Sequence, residues 1–178
     1  HRSAYEGTII FLALSFYYEG NYTSAKEFID KAVLITSRRK DVSFYDTTSK
    51  TVQVLINSKI EKCDNKYLKE LGEELIKSTA VKEVNREYFY LSQAYLNIGD
   101  NKNADKFQVL CKEGLLSSSK RISNKKYRED YLKIPHLHKC MLSDNAVEYS
   151  TKDIALKEKN KKQKTVKKKL SAQTIKHG

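Results

Sequence analysis

Ile9-Ile10-Phe11-Leu12-Ala13-Leu14-Ser15-Phe16-Tyr17-Tyr18-Glu19-Gly20-Asn21-Tyr22-Thr23-Ser24-Ala25 returns 79 residues later as Tyr88-Phe89-Tyr90-Leu91-Ser92-Gln93-Ala94-Tyr95-Leu96-Asn97-Ile98-Gly99-Asp100-Asn101-Lys102-Asn103-Ala104. Each copy reads as an apolar helix, a Gly-(Asn/Asp) turn and a second amphipathic helix entered near a small Ala. Phe28 and Ala32 continue the first copy, and Phe107 and Cys111 the second. That pattern is a helical hairpin, and an internal repeat decides the architecture before any single residue does.

The interval between the two turn glycines suits two long repeats, so the spacing predicts a degenerate middle hairpin. Its first helix is expected near Thr51 to Lys62, with Val52, Leu55, Ile56 and Ile60 at helical spacing. The second runs from Asn65 to Ser78, with Leu68, Leu71 and Leu75 on one face. The turn falls at Cys63-Asp64-Asn65. Ser37 to Asp46, with Arg38, Arg39 and Lys40 and no periodicity, reads as the connection. A single Pro and six Gly leave few helix breakers, and 39% hydrophobic content supplies a modest core in the first 150 residues. The expected class is all-α.

The set Leu12, Ala13, Phe16, Gly20, Ala25 and Ala32, mirrored by Leu91, Ser92, Tyr95, Gly99, Ala104 and Cys111, resembles the tetratricopeptide repeat, in which small residues let antiparallel helices approach closely. The chain departs from that family by carrying Ile9 and Tyr88 where Trp is usual, Ser92 at a small-residue position, and no terminal Pro. The resemblance implies a short α-solenoid over residues 1–143, with hairpins at 4–36, 47–80 and 83–118 and a closing helix at 124–143. Such stacks form one elongated domain. The concave wall of the family is built by the first helix of each hairpin. It implies partner-binding positions at Ile10, Leu14, Tyr17 and Tyr18, and at Arg86, Phe89, Gln93, Leu96 and Asn97. A protein or peptide partner follows, with the chain as a non-enzymatic scaffold. The chaperone-tail clamp of the family uses Lys, Asn and Arg where this chain has Ile10, Leu14, Phe89 and Gln93, which disfavours a chaperone adaptor.

Tyr127-Arg128-Glu129-Asp130-Tyr131-Leu132-Lys133-Ile134-Pro135-His136-Leu137-His138-Lys139-Cys140-Met141-Leu142 resembles the closing segment of tetratricopeptide regions in large bacterial signalling proteins of the adenylate-cyclase-like, kinase-like and maltose-regulator-like kinds. Pro135 can open a helix there, because its missing N–H would be unbonded. Since the first residue is not Met and Ala4-Tyr5-Glu6 already leads into a repeat helix, the chain is expected to be a C-terminal piece of a larger regulator.

No segment reaches the roughly 20 apolar residues that span a bilayer. Thr8 to Tyr18 lacks the flanks of a signal peptide. Cys63, Cys111 and Cys140 are odd in number and far apart, which favours a reducing cytoplasm over a disulfide scaffold. Cys111 takes a position the repeat keeps small and buried. His136, His138 and Cys140 invite a zinc reading, but on a helix His138 points away from the other two and no fourth ligand lies nearby. No metal or cofactor is expected. A phosphate loop, a Gly-x-Ser-x-Gly elbow and a His-Glu-x-x-His pair are all lacking. Glu73 and Glu74 fall on the solvated side of the helix that carries Leu71 and Leu75.

The net charge of +12 is concentrated at the end: from Thr151 to Gly178 ten Lys stand against Asp153 and Glu158, which places +8 of it there. Residues 144–178 therefore read as a disordered, Lys-rich tail. Lys161, Lys162, Lys164, Lys167, Lys168 and Lys169 are its polyanion-binding candidates. No aromatic residue follows Tyr149, so contact with nucleic acid would be salt-sensitive and blind to sequence. A nucleic-acid- or polyanion-associated protein is the competing expectation.

Overall fold

A computed structural model of the protein describes residues 2–38, 44–60, 63–78, 84–133 and 136–146. Over these residues the chain is all-α, with no strand. Eight helices follow in order: α1 (Arg2–Glu19), α2 (Tyr22–Ser37), α3 (Phe44–Ile60), α4 (Asn65–Ser78), α5 (Asn85–Asn97), α6 (Asn101–Lys120), α7 (Lys125–Lys133) and α8 (His136–Met141).

The repeated sequence repeats in structure down to single hydrogen bonds. Gly20 and Gly99 end α1 and α5 with φ of 84° and 80°, left-handed values that a residue without Cβ adopts at little cost. The Gly20 N–H donates to the Tyr17 carbonyl at 3.0 Å, and the next N–H, of Asn21, to the Phe16 carbonyl at 2.9 Å. Gly99 and Asp100 repeat this on Leu96 at 3.1 Å and Tyr95 at 3.0 Å, so both helix ends satisfy their free carbonyls the same way. Asn21 and Asp100 then share one backbone conformation, φ −87° and ψ 74°. Their side chains accept the N–H of Ser24 at 3.2 Å and of Asn103 at 3.1 Å, capping α2 and α6. Asp64 starts α4 likewise, accepting from Lys66 N at 2.9 Å.

The start of α3 and the end of the packed chain differ from the sequence reading. The expected connection 37–46 gives way earlier, because α3 begins at Phe44 instead of near Thr51. Its first turns are rich in hydroxyls, which hide hydrophobic periodicity yet bond back along the helix: Ser49 Oγ to the Asp46 carbonyl at 2.9 Å, and Thr51 Oγ1 to the Thr47 carbonyl at 3.1 Å. So satisfied, Ser49 and Thr51 are fully buried. The Asp46–Lys50 pair at 2.7 Å, one turn apart, supports the same stretch. Within the closing segment expected at 124–143 the described residues form α7 and α8, and Ile134 and Pro135 lie outside the described residues. The packed part of the chain also runs past 143. Ala146 N donates to Asp105 Oδ1 at 2.8 Å, and Asp144 pairs with Lys112, tying residues 144–146 to α6.

α1 packs on α2, α2 on α3, α3 on α5 and α5 on α6. One apolar cluster joins them, with Ala25, Ala32, Ala104 and Cys111 wholly buried where larger side chains would hold the helices apart. α5 lies at the centre, and every residue from Glu87 to Tyr95 is buried. α4 adds Leu68, Leu71 and Leu75 to the cluster. It also presents Gly72 to the ring of Phe107, which stacks on Tyr95 at 5.5 Å and lies beside Tyr88 at 6.0 Å. At the turn end of the molecule Asn97 Nδ2 donates to Tyr17 Oη at 3.2 Å and Ser58 Oγ at 2.9 Å, joining α1, α3 and α5. The closing helices dock through buried Gln108, whose Nε2 faces the carbonyls of Cys140, Met141 and Ser143 at 2.9, 3.0 and 3.2 Å. Among the described residues no helix is long and apolar enough to cross a membrane.

Candidate functional site

Gly7, Phe11, Leu14 and Tyr18 recur along one stripe of α1 at intervals of three and four residues. Opposite that stripe α3 contributes Tyr45 and Thr48, α5 contributes Arg86, Glu87 and Tyr90, and α8 contributes Leu137. Together with Ile10, Ser15 and Glu19 they enclose a mainly apolar groove of about 770 Å³. Gly7 sets its width at one end. A Cβ there would lie 3.2 Å from Tyr45 Cε1, so the missing side chain lets the tyrosine ring lie against α1. Phe11 is 69% exposed, a large apolar side chain that nothing among the described residues covers.

The floor is polar. Glu87 is 1% exposed, and its Oε1 accepts a hydrogen bond from Thr48 Oγ1 at 2.6 Å. Burial pushes the Glu87 carboxyl above its ordinary range, opposed in part by the Thr48 hydrogen bond and by the charge of Arg86. Behind it on α6, burial raises the Cys111 thiol, with the negative charge of Glu87 adding to the effect, so that thiol stays protonated and packs as a small apolar group.

Of the residues expected along a binding wall, the structure brings Ile10, Leu14, Tyr18 and Arg86 together in this groove. The others go elsewhere. Phe89 is 0% exposed and Gln93 5%, because α5 is covered on several sides and has no free face at those positions. Tyr17 is buried and meets Asn97 at the turn end, and Leu96 packs half-buried against the core. Phe89, Gln93 and Tyr17 are thus core residues and not an accessible surface. Ile10, though buried, is part of the groove lining.

Phe11, Tyr45, Thr48, Glu87, Tyr90 and Leu137 were absent from the sequence-derived set. Phe11 had a signal, since it shares the helical spacing of Leu14 and Tyr18. Thr48 and Glu87 had none: their hydrogen bond joins positions 39 residues apart.

The tail lysines Lys161, Lys162, Lys164, Lys167, Lys168 and Lys169 lie outside the described residues, as do Arg39 and Lys40. His138 Nδ1 lies 2.7 Å from the Tyr131 carbonyl, and its ring meets that of Tyr131 edge-on at 4.7 Å. Among the described residues no three His, Cys, Asp or Glu side chains form a metal-ligand group. Comparison with protein-family models, with curated proteins and with solved structures finds no match.

Proposed function

We propose that the chain is a non-enzymatic, cytoplasmic protein-binding scaffold of stacked helical hairpins in the manner of tetratricopeptide repeats, holding a peptide segment of its partner along the groove between α1, α3 and α5. The observation that supports this most is that α1, α3 and α5, the helices expected to open each hairpin and so to form the binding wall in that family, line the groove together with Leu137 of α8. Its volume and apolar lining are those of a ligand cleft. Phe11, exposed at its edge, has the size and position of an anchor.

Selection of short random peptides on the immobilised protein tests the reading. Peptides so recovered should bind Phe11→Ala about ten-fold more weakly, on the order of 1.4 kcal/mol, the loss typical of one anchor side chain. A control at exposed Glu70 on α4 should leave binding unchanged. Peptides indifferent to Phe11 and displaced by heparin would replace the scaffold with the second reading, a polyanion-associated protein, which the +8 charge of residues 151–178 favours.

A further inference from the structure

A carboxyl group removed from water is costly unless a cation accompanies it. Glu87 is 1% exposed, yet among the described residues no ion pair reaches it; Thr48 Oγ1 is its side-chain hydrogen-bond donor. Arg86 precedes it in sequence, but neighbouring positions on a helix do not face each other, and Arg86 stands exposed at the rim of the groove while Glu87 forms the floor. Tyr18, Tyr45 and Tyr90 line the same groove as Glu87. Aromatic faces attract cations, most strongly where water is excluded. Glu19 adds a second carboxylate to the groove lining, so two acids stand against the one guanidinium among the described residues that line it.

We propose that this groove recognises a cationic side chain of an apolar partner segment, a lysine seated between Tyr18, Tyr45 and Tyr90 with its ammonium group on Glu87. The inference rests on the groove being the binding site, and it adds the chemistry that site reads. Burial holds the Glu87 carboxyl toward its neutral form, opposed by the hydrogen bond from Thr48 on α3, by a backbone hydrogen bond and by Arg86 on its own helix. An arriving ammonium ion favours the carboxylate and so draws the proton off. The Leu14 side chain and the apolar part of the lining take the lysine methylenes and the flanking residues.

Three probes of one size separate the possibilities: n-butylammonium, n-butanol and n-butyrate, titrated while the ring resonances of Tyr18, Tyr45 and Tyr90 are followed by NMR. Butylammonium should shift all three rings saturably and bind about ten-fold more tightly than butanol, the scale of one desolvated cation–aromatic and charge-assisted contact. Glu87→Gln keeps the shape and an acceptor for Thr48, and should bring the ammonium down to the alcohol. Tyr18→Leu, which keeps apolar bulk, should lower the ammonium-to-alcohol ratio without touching Glu87, and serves if Glu87→Gln does not fold. If none of the three probes reaches the tyrosines, the groove itself is not a binding site. If butanol matches butylammonium, or the ratio survives both substitutions, the groove binds apolar groups and the cationic assignment falls. A preference for butyrate would overturn it in favour of anion recognition by Arg86.

Discussion

Replacing Gly72 by alanine sets two effects of opposite sign against each other on α4. In an exposed helix interior the change stabilises by roughly 0.8–1.0 kcal/mol, because alanine loses less backbone freedom on folding. Here the new Cβ would lie 2.6 Å from Phe107 Cζ and 3.3 Å from a second ring carbon, where carbon atoms prefer roughly 3.5–4.0 Å. The ring must retreat by about 1 Å, and it is held by its stack on Tyr95 and its contact with Tyr88. Overpacking of that kind costs about 1–3 kcal/mol. The net expectation is a loss of about 1 kcal/mol, or a midpoint lowered by roughly 3 °C for a body of this size. Urea and thermal melts followed by helix circular dichroism measure it. In a Phe107→Leu background the ring tip is gone, so the same Gly72→Ala change should become stabilising, a coupling that a double-mutant cycle reads directly. Gly114→Ala is the comparison. Its Cβ would meet the end of the Asn85 side chain, which can swing away at the expense of its 3.1 Å bond to Ser118, leaving the propensity gain and the lost bond nearly balanced. A rise in the midpoint of Gly72→Ala by the propensity amount, or no coupling to Phe107, would refute the assigned contact between α4 and α6.

Ala25→Leu should cost ~1–3 kcal/mol by overpacking the buried face of α2, and an unchanged thermal midpoint would contradict the register of the first hairpin. Asp100→Ala should cost ~1 kcal/mol through loss of the α6 cap, as Asn21→Ala should at α2. The two differ with pH: hydrogen bonds from the Asn103 side chain and backbone hold the Asp100 carboxyl below its ordinary 3.8, so its contribution is present above that value and is lost as pH falls through the folded one, whereas the Asn21 effect should stay constant. For Glu87 the sign reverses. Its folded pKa is raised above 4.5, so the native state is favoured in acid and loses stability as pH rises from there; Glu87→Gln should match wild type near pH 4 and exceed it increasingly toward neutrality in melts across pH. Deleting residues 151–178 should leave the helicity and midpoint of the body unchanged and abolish binding to heparin and duplex DNA. If about six phosphates are involved, the full chain's log–log salt slope on duplex should be roughly −5.

Both glycine turns were legible because their determinants are local. A left-handed residue, a capping side chain and the apolar run before them all fall within a few positions, and Gly20 and Gly99 carry the same set. Leu68, Leu71 and Leu75 announced α4 for the same reason. The start of α3 was not legible, since Thr48, Ser49 and Thr51 are polar by composition and buried only because the helix and its neighbours satisfy their hydroxyls. The groove divides the same way. Helical spacing groups Ile10, Leu14 and Tyr18, but no spacing says what covers a face, and Phe89 and Gln93 lie on a helix enclosed by α3, α4 and α6. The meeting of Thr48 with Glu87 is a product of tertiary packing alone.

The enclosure of α5 sets a hierarchy of amide exchange. Its central amides, around Leu91 to Tyr95, lie under buried side chains on every side and reach solvent through global unfolding. α7, with no buried residue, exchanges by local opening, and α4, attached by one apolar face, comes between them. Groove ligands would rest on Glu87 and Tyr90, which belong to the slowest of these units. Their occupancy should therefore register across the whole protected core, in proportion to ligand concentration, while α7 continues to exchange at its own rate.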